Sequence, residues 1–480
     1  MSTETIVVGG GLAGLSAAAA LASRGQPVRV LESRRHLGGR AGSFLDDDTG
    51  TWTDHCQHVG MGCCTALEWL CEMTGLSDCF RRDRQLHFVS PPQDGPGQPP
   101  AIHTFRGSAW PAPLHLLGGL GRLKYLNGPQ RRSIRHAMRK LARARSETYD
   151  QDIASWLHGH GQSDETISGF WEIILVSALS ESLDRISVGH ARHVFVAGFL
   201  SHRTGWELVV PRVPLNEIYD ERLGGWLARH GVTVETERTV QDVEFESGRV
   251  QGVRLGDGES LTAGQVILAI PSHHVADLLP DRFATAPLVT GLQNLESAPI
   301  AAVHLGLDRP FPRLPHAVLV GRLGQWMFRR VQASDSRPED SAVSTSEGDR
   351  VQVVISAAQH VTRMDRTDVI DRVVAELYEI WPSAREVKIT SQRLIVAHRA
   401  VTSPLPGSEQ FRPTQVTPWT GLYLAGDWTR TGWPSTMEGA VRSGLLAAEG
   451  VLDRLGLHGS LLPSDLPIAR LSRWLLGLSP

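Results

Sequence analysis

Three groups of residues have types and spacings that could do chemistry. Near the amino terminus, Gly9, Gly11 and Gly14 stand in G-x-G-x-x-G spacing within VVGGGLAGL. Near the carboxyl terminus, residues 421–444 read GLYLAGDWTRTGWPSTMEGAVRSG: a short apolar run, a Gly426-Asp427 turn, a loop and a helix. A third stretch, TDHCQHVGMGCCT (53–65), gathers a carboxylate, imidazoles and thiols: Asp54, His55, Cys56, His58, Cys63 and Cys64. Glycines that admit a pyrophosphate to the backbone at both ends of a chain suggest one long dinucleotide gripped twice. That arrangement points to FAD kept through a redox cycle. A proton donor beside it could be Asp54, His55 or His58. Histidine has the better intrinsic pKa near neutrality, whereas a carboxylic acid needs an apolar surrounding to raise its own.

Those groups need elements to position them. Ile6–Val8 are apolar and β-branched, as a buried parallel strand requires. Gly9 permits the tight turn, Gly11 the approach of phosphate, and Gly14 close packing of the following helix on the strand. That helix, expected over Leu12–Arg24, turns the free N–H groups of its start, at Leu12 and Ala13, toward the phosphates. A second strand, Pro27–Leu31, ends in Glu32 followed by Ser33. Glu32 lies 18 residues after Gly14, near the spacing of roughly 20 expected of a carboxylate that holds a ribose hydroxyl. Arg34 and Arg35 could instead meet a 2′-phosphate, so an NADP reading stays open. Just beyond, Gly38, Gly39 and Arg40 form a second glycine turn with a guanidinium suited to phosphate oxygens. A glycine-rich surface loop is the alternative for that segment.

In order along the chain, VVGGGLAGL, Glu32, GGRAGS, LAGDW and STMEGAVRSG resemble the signatures of the amine oxidase and carotenoid desaturase superfamily of flavoproteins. The stretch from Val232 to Pro271 is similar to that family's β-meander and the strand that closes it. The resemblance implies an α/β fold, with a Rossmann-type FAD-binding domain of the GR2-like kind and an interleaved α+β substrate domain. It also implies that the backbone near Val240 meets adenine and that Gly426 and Asp427 meet the pyrophosphate and ribityl chain. Thr436, Met437 and Glu438 would lie under the flavin ring. A narrower likeness joins TDHCQHVGMGCCT, GFWEIILVSALSESL (169–183) and LVVPRVPL (208–215) to the squalene-associated flavoproteins, the hydroxysqualene dehydroxylases. It implies a hydrophobic C30 isoprenoid substrate, loss of an allylic hydroxyl and hydride delivery from reduced flavin. On that basis Asp54 and His58 are expected as a catalytic pair. Cys56, Cys63, Cys64, Phe170, Trp171 and Trp433 are expected to bind substrate. Aromatic faces, including Trp428, would stabilise a cation.

Other classes are weakened or left open. Amine oxidases of the superfamily carry a lysine before a Pro-Phe element, whereas VHLGLDRPF (303–311) has none. Carotenoid-type desaturation remains an alternative, as does a non-catalytic role in binding prenylated lipid. The net charge of −3 over 480 residues gives no footing for nucleic acid. All five cysteines fall between Cys56 and Cys79 without zinc-finger spacing, so no metal is expected and the thiols read as reduced, in a cytoplasmic protein.

The length suggests two interleaved domains. Residues 1–90, 205–300 and 415–480 are expected to build the FAD domain, and 91–204 with 301–414 the substrate domain. Ser90–Pro100 reads as a Pro/Gly linker or exposed turn, and Ser334–Arg350 as a polar insertion. No run approaches the 18 or so apolar residues of a membrane span. Ile468–Leu478 and Pro113–Arg145 nevertheless combine apolar and arginine-rich stretches, consistent with peripheral contact at the inner face of the cytoplasmic membrane or with ordinary solvated helices.

Overall fold

The computed structural model describes residues 4–91, 100–330 and 349–479. Thr5–Val8 is buried throughout and sits at the centre of a five-stranded sheet ordered Thr233–Glu235, Val28–Leu31, Thr5–Val8, Gln265–Leu268, Leu422–Leu424. Every pairing is parallel. Strands buried on both faces cannot alternate polar and apolar residues, which is why TIVV, QVIL and LYL are nearly continuous apolar runs. The alanine-rich helix Leu12–Ser23 is buried from Leu12 to Leu21 because helix Met437–Arg454 covers it from behind. A Cβ on Gly444 would lie 2.2 Å from the Ala13 carbonyl oxygen, so the two helices touch backbone to backbone. Chain segments more than 400 residues apart are thereby locked around one glycine turn.

The meander expected between Val232 and Pro271 is present as Val240–Glu246, Arg249–Leu255 and Ser260–Thr262, antiparallel throughout. A larger sheet of seven strands follows the order Ile389–Thr402, Ser297–Leu307, Asp349–Ile355, Trp326–Arg329, His316–Leu319, Gln85–Ser90, Ala101–Arg106. Its neighbours are antiparallel except His316–Leu319 with Gln85–Ser90. Gln85–Ser90, grouped with the nucleotide segments in the sequence reading, is therefore a strand of this second sheet. Ser90 pairs with Ala101, so the Pro/Gly stretch between them joins two strands of one hairpin. Residues 92–99 within it, and 331–348 covering most of the polar insertion, lie outside the described residues.

Helices Gly128–Ala142, Glu172–Leu179 and Val188–Phe195 pack over the apolar face of this sheet. Asn127 and Gln130 cap the first reciprocally, and Ser187 caps the third. Two single π-helical stretches, Ile167–Trp171 and Val196–Leu200, extend the second and third helices and turn Phe170 and Phe199 toward the space above the sheet.

Candidate functional site

A single cavity of about 1440 Å³ begins at the glycine turn and continues between the seven-stranded sheet and its helices. At its polar end the glycine geometry matches a dinucleotide cradle. Gly9 has φ +109°, and a Cβ there would sit 2.5 Å from the Ala269 carbonyl oxygen. Gly14 faces away from the cavity: its Cβ would lie 1.9 Å from the Gly9 carbonyl oxygen, so its task is helix-on-strand packing alone. Gly11 differs. A Cβ on it would meet no protein atom nearer than 4.0 Å, so the space in front of Gly11 is cavity. Helix Leu12–Ser23 starts there with no capping side chain and no acid in its first turn, leaving its N–H groups for an anion.

The surrounding residues fit the same ligand. Glu32 is buried at the strand end; Gly10 N–H and Arg34 N–H donate to its two oxygens at 2.7 and 2.8 Å. Ser33, Gly38, Gly39 and Arg40 line the same wall, and Val240 faces it from the meander. Arg40 pairs with Asp427 and donates to the Ala400 carbonyl at 2.8 Å. Ser435 donates to the other Asp427 oxygen at 2.6 Å. Gly426, at φ +154°, receives Ser443 Oγ as acceptor of its N–H. Thr436 caps helix Met437–Arg454 through the Gly439 N–H, and both Thr436 and Met437 border the cavity.

Arg412 was not anticipated from sequence. It is buried and donates to the carbonyls of Asp427 and Thr429, each at 2.7 Å, and to that of Trp428 at 3.4 Å. Its remaining nitrogen pairs with Glu409, whose carboxylate also meets His190 Nε2 at 3.1 Å. The only sequence signal is its place in RPTQ, shortly before the LYLAGD strand and turn.

Past the glycine loop the cavity becomes hydrocarbon-lined. Phe170, Phe195, Phe199, Trp326, Phe328 and Ile395 form much of the wall. Cys56, Gln57 and His58 enter it at the junction, beside the Gly38–Arg40 loop. His58 Nδ1 lies 2.9 Å from the Cys56 carbonyl oxygen; that contact requires the proton on Nδ1 and leaves Nε2 for the cavity. Burial lowers the His58 pKa, only partly opposed by that carbonyl and by Asp54. At neutral pH His58 is therefore an uncharged acceptor, not the standing acid its type suggests. Burial pushes the Cys56 thiol up to about 12, which makes it inert packing. His55 also reaches the cavity, stacked on Phe44 with ring centroids 5.4 Å apart.

Several expected residues lie elsewhere. Asp54 is not on the wall: one oxygen accepts Ser43 Oγ–H at 2.6 Å and Leu215 N–H at 2.9 Å, which ties a strand to the segment before helix 217–229. Cys63 and Cys64 pack where helix Thr65–Thr74 begins. Trp171 is wholly buried, its indole N–H bonded to Gln162 at 2.9 Å, and is core. Trp433 stacks on Arg442 and meets the His193 ring edge-on, outside the cavity. Glu438 turns from the cavity to accept Ala66 and Leu67 N–H, so it caps helix Thr65–Thr74 and pairs with Arg442. Trp428 does border the cavity, but its indole N–H is committed to the Ile270 carbonyl. Among the described residues no cluster suited to a metal occurs, and no helix is long and apolar enough to cross a membrane.

Comparison with known proteins agrees with this arrangement. The model of the flavin containing amine oxidoreductases matches residues 12–452. The chain is 26% identical over 472 residues to a 15-cis-phytoene desaturase of Solanum lycopersicum, covering 94% of this chain and 77% of that one. It is 24% identical over 459 residues to the hydroxysqualene dehydroxylase of Zymomonas mobilis, covering 93% and 98%. Among solved structures, an oxidoreductase from Methanosarcina mazei superposes with a TM-score of 0.71 at 18% identity, covering 94% of this chain and all of that one. A putrescine oxidase variant superposes with 0.69 at 16%, covering 94% and 99%.

Proposed function

The chain belongs to the flavin containing amine oxidoreductase family, and its cofactor is FAD; from that premise we propose that it reductively removes an allylic hydroxyl from a C30 isoprenoid alcohol of the hydroxysqualene type, giving squalene. One observation carries the reading. The cavity is hydrocarbon-lined beyond the nucleotide cradle, yet Gln57 and His58 bring polar groups into its wall at the junction. Gln57 Nε2 donates to the His58 carbonyl at 3.3 Å and His58 Nδ1 to that of Cys56, so a pure polyene would leave His58 Nε2 and Gln57 Oε1 unpaired, at a cost. An alcohol seated there would satisfy them. The likeness to the Zymomonas mobilis enzyme supports the same choice.

In balance, the alcohol, one proton and one hydride become the hydrocarbon and water. Bound and reduced, FAD supplies the hydride. The protein's part is to hold the cofactor at Gly9–Ala13, Glu32–Ser33, Gly38–Arg40, Val240, Gly426–Asp427 and Thr436–Met437, and to keep the allylic carbon dry. Phe170 and Trp326 offer ring faces along the path where positive charge develops. His58 orients the hydroxyl through Nε2 and, when protonated, donates the proton that lets water leave. Its lowered pKa makes that form scarce at neutrality, so acidity should favour the reaction. A hydrocarbon alcohol of this size resides in a bilayer, which puts the work at the inner face of the cytoplasmic membrane.

The likeness to phytoene desaturases supports a second reading, removal of hydride from a polyene. One anaerobic experiment separates them. Enzyme reduced with dithionite and mixed with hydroxysqualene is expected to yield squalene and oxidised flavin. If instead only oxidised enzyme reacts, and with a polyene, the dehydroxylation reading is wrong.

A further inference from the structure

We infer that the far mouth of the cavity is an attachment surface for a bilayer carrying anionic lipid. The purpose of the surface rests on the hydrocarbon substrate proposed above; its chemistry does not. Leu114, Leu117, Leu475 and Leu476 line the cavity together with Arg135 and Arg139, and of these Leu117, Arg135 and Arg139 are also exposed to solvent, which marks a mouth. A tunnel for a small soluble substrate has no need to open among leucines.

The rim is cationic without compensation. Helix Gly128–Ala142 carries Arg131, Arg132, Arg135, His136, Arg139 and Lys140 and not one acid. Among the described residues, Arg132, Arg135, Arg139 and Lys140 have no carboxylate partner. Elsewhere several arginines meet carboxylates, some of them more than one, as Arg238 and Arg442 do. Unpaired guanidinium groups around an apolar opening complement lipid phosphates above acyl chains.

Exposed apolar side chains sit in the elements that form the same rim. Trp474 is 78% exposed and Trp110 66%, and Leu117 both lines the cavity and reaches solvent. Their elements are held in place. Ser472 Oγ donates to the Leu200 carbonyl at 2.6 Å, and Arg143 donates to the Leu475 carbonyl at 2.9 Å, which fastens helix Arg470–Leu476 to the cationic helix. Leu476 and Leu478 pack inward with Ala142 and Leu200, so Trp474 projects from an anchored element. The Trp110 loop is closed by Ser108 N–H to the His115 carbonyl at 2.8 Å. Indoles of this kind favour the headgroup layer. Since no described helix can span a bilayer, contact is at the surface.

The test is co-sedimentation of the flavin-loaded full chain with two vesicle populations. One is phosphatidylcholine alone; the other is an equal mixture with phosphatidylglycerol. Binding is expected on the mixed vesicles, weakened by salt and about tenfold or more weaker for the double variant Arg132→Glu, Arg135→Glu. Trp474→Ser should weaken the binding that survives high salt, and it provides a second probe if the charge reversal misfolds. Equal affinity for both vesicles, absence of binding by the native chain, or dimerisation through this face by sedimentation velocity would overturn the inference. Turnover assayed in detergent reports on the reaction separately, so failure of the surface and failure of the proposed function cannot be confused.

Discussion

His58 and Asp54 are four residues apart, yet the fold sends one to the cavity and the other to a strand junction. Replacing His58 with Ala is expected to lower turnover by about 10²- to 10⁴-fold with flavin retained. Asp54→Ala strands the Ser43 hydroxyl and the Leu215 N–H, so stability should fall by about 1–3 kcal/mol while the turnover of folded enzyme is little changed. Denaturant titration beside single-turnover kinetics distinguishes the two. The pH profile is a sharper check on His58. Its lowered pKa means that fewer molecules hold the imidazolium at pH 7, so the rate should climb as pH falls below neutrality. A rate flat or declining over that range would remove His58 as proton donor. Gly11 makes an equally local test. Because the protein leaves its Cβ position free, Gly11→Val should fold with unchanged thermal stability as apoprotein and lose flavin at least about tenfold.

At the scale of elements, the turn Gly426–Thr429 is shaped by a residue from another segment. Three of its carbonyls converge on Arg412, and Glu409 holds that guanidinium. Burial alone would raise the Glu409 carboxyl, but its bonds to His190 and Arg412 prevail and bring it down to about 2. Hydrogen bonds from a buried charge contribute about 1.5–3 kcal/mol each, so Arg412→Ala should weaken FAD binding by roughly tenfold or more, with partial recovery in Arg412→Lys. Equilibrium dialysis of flavin checks this, and unchanged affinity would show that the turn holds itself. This region also marks what the sequence made legible. The glycine turn, Glu32, the meander and the Gly-Asp turn could be read because each rests on local constraints: a positive φ, a strand period, a helix start. Arg412, the turning of Glu438 toward helix Thr65–Thr74 and the loss of Trp171 to the core depend on partners distant in sequence. A side chain's type and spacing say nothing of which way its element will face. Trp326 and Phe328 were missed for the same reason, since only the seven-stranded sheet brings them over the cavity.

Across the whole molecule, the buried imidazoles set how stability responds to acid. Burial lowers His193 to about 3, and lowers His115 and His304 to about 4. The nearby Arg442 and Arg203 add to the first two shifts. Both ring nitrogens of His115 and Nε2 of His193 lack hydrogen-bond partners, so neither ring gains a stabilising contact by protonation. In the unfolded chain each would titrate near 6.5. Between 6.5 and the folded values the unfolded state binds more protons, and stability must fall as pH falls. The lowered Glu409 acts in the same direction at still lower pH, because its ion pairs are lost on protonation. Thermal melts of the holoenzyme should therefore move down by roughly 5 °C or more between pH 6.5 and 4.5, with the loss reduced in a His193→Gln variant, which has nothing to titrate at that position. Turnover should rise as pH falls below neutrality if His58 is the donor, so rate and stability are expected to move in opposite directions with acid. A melting temperature constant across this range would mean that these imidazoles are hydrated and protonated in the folded protein.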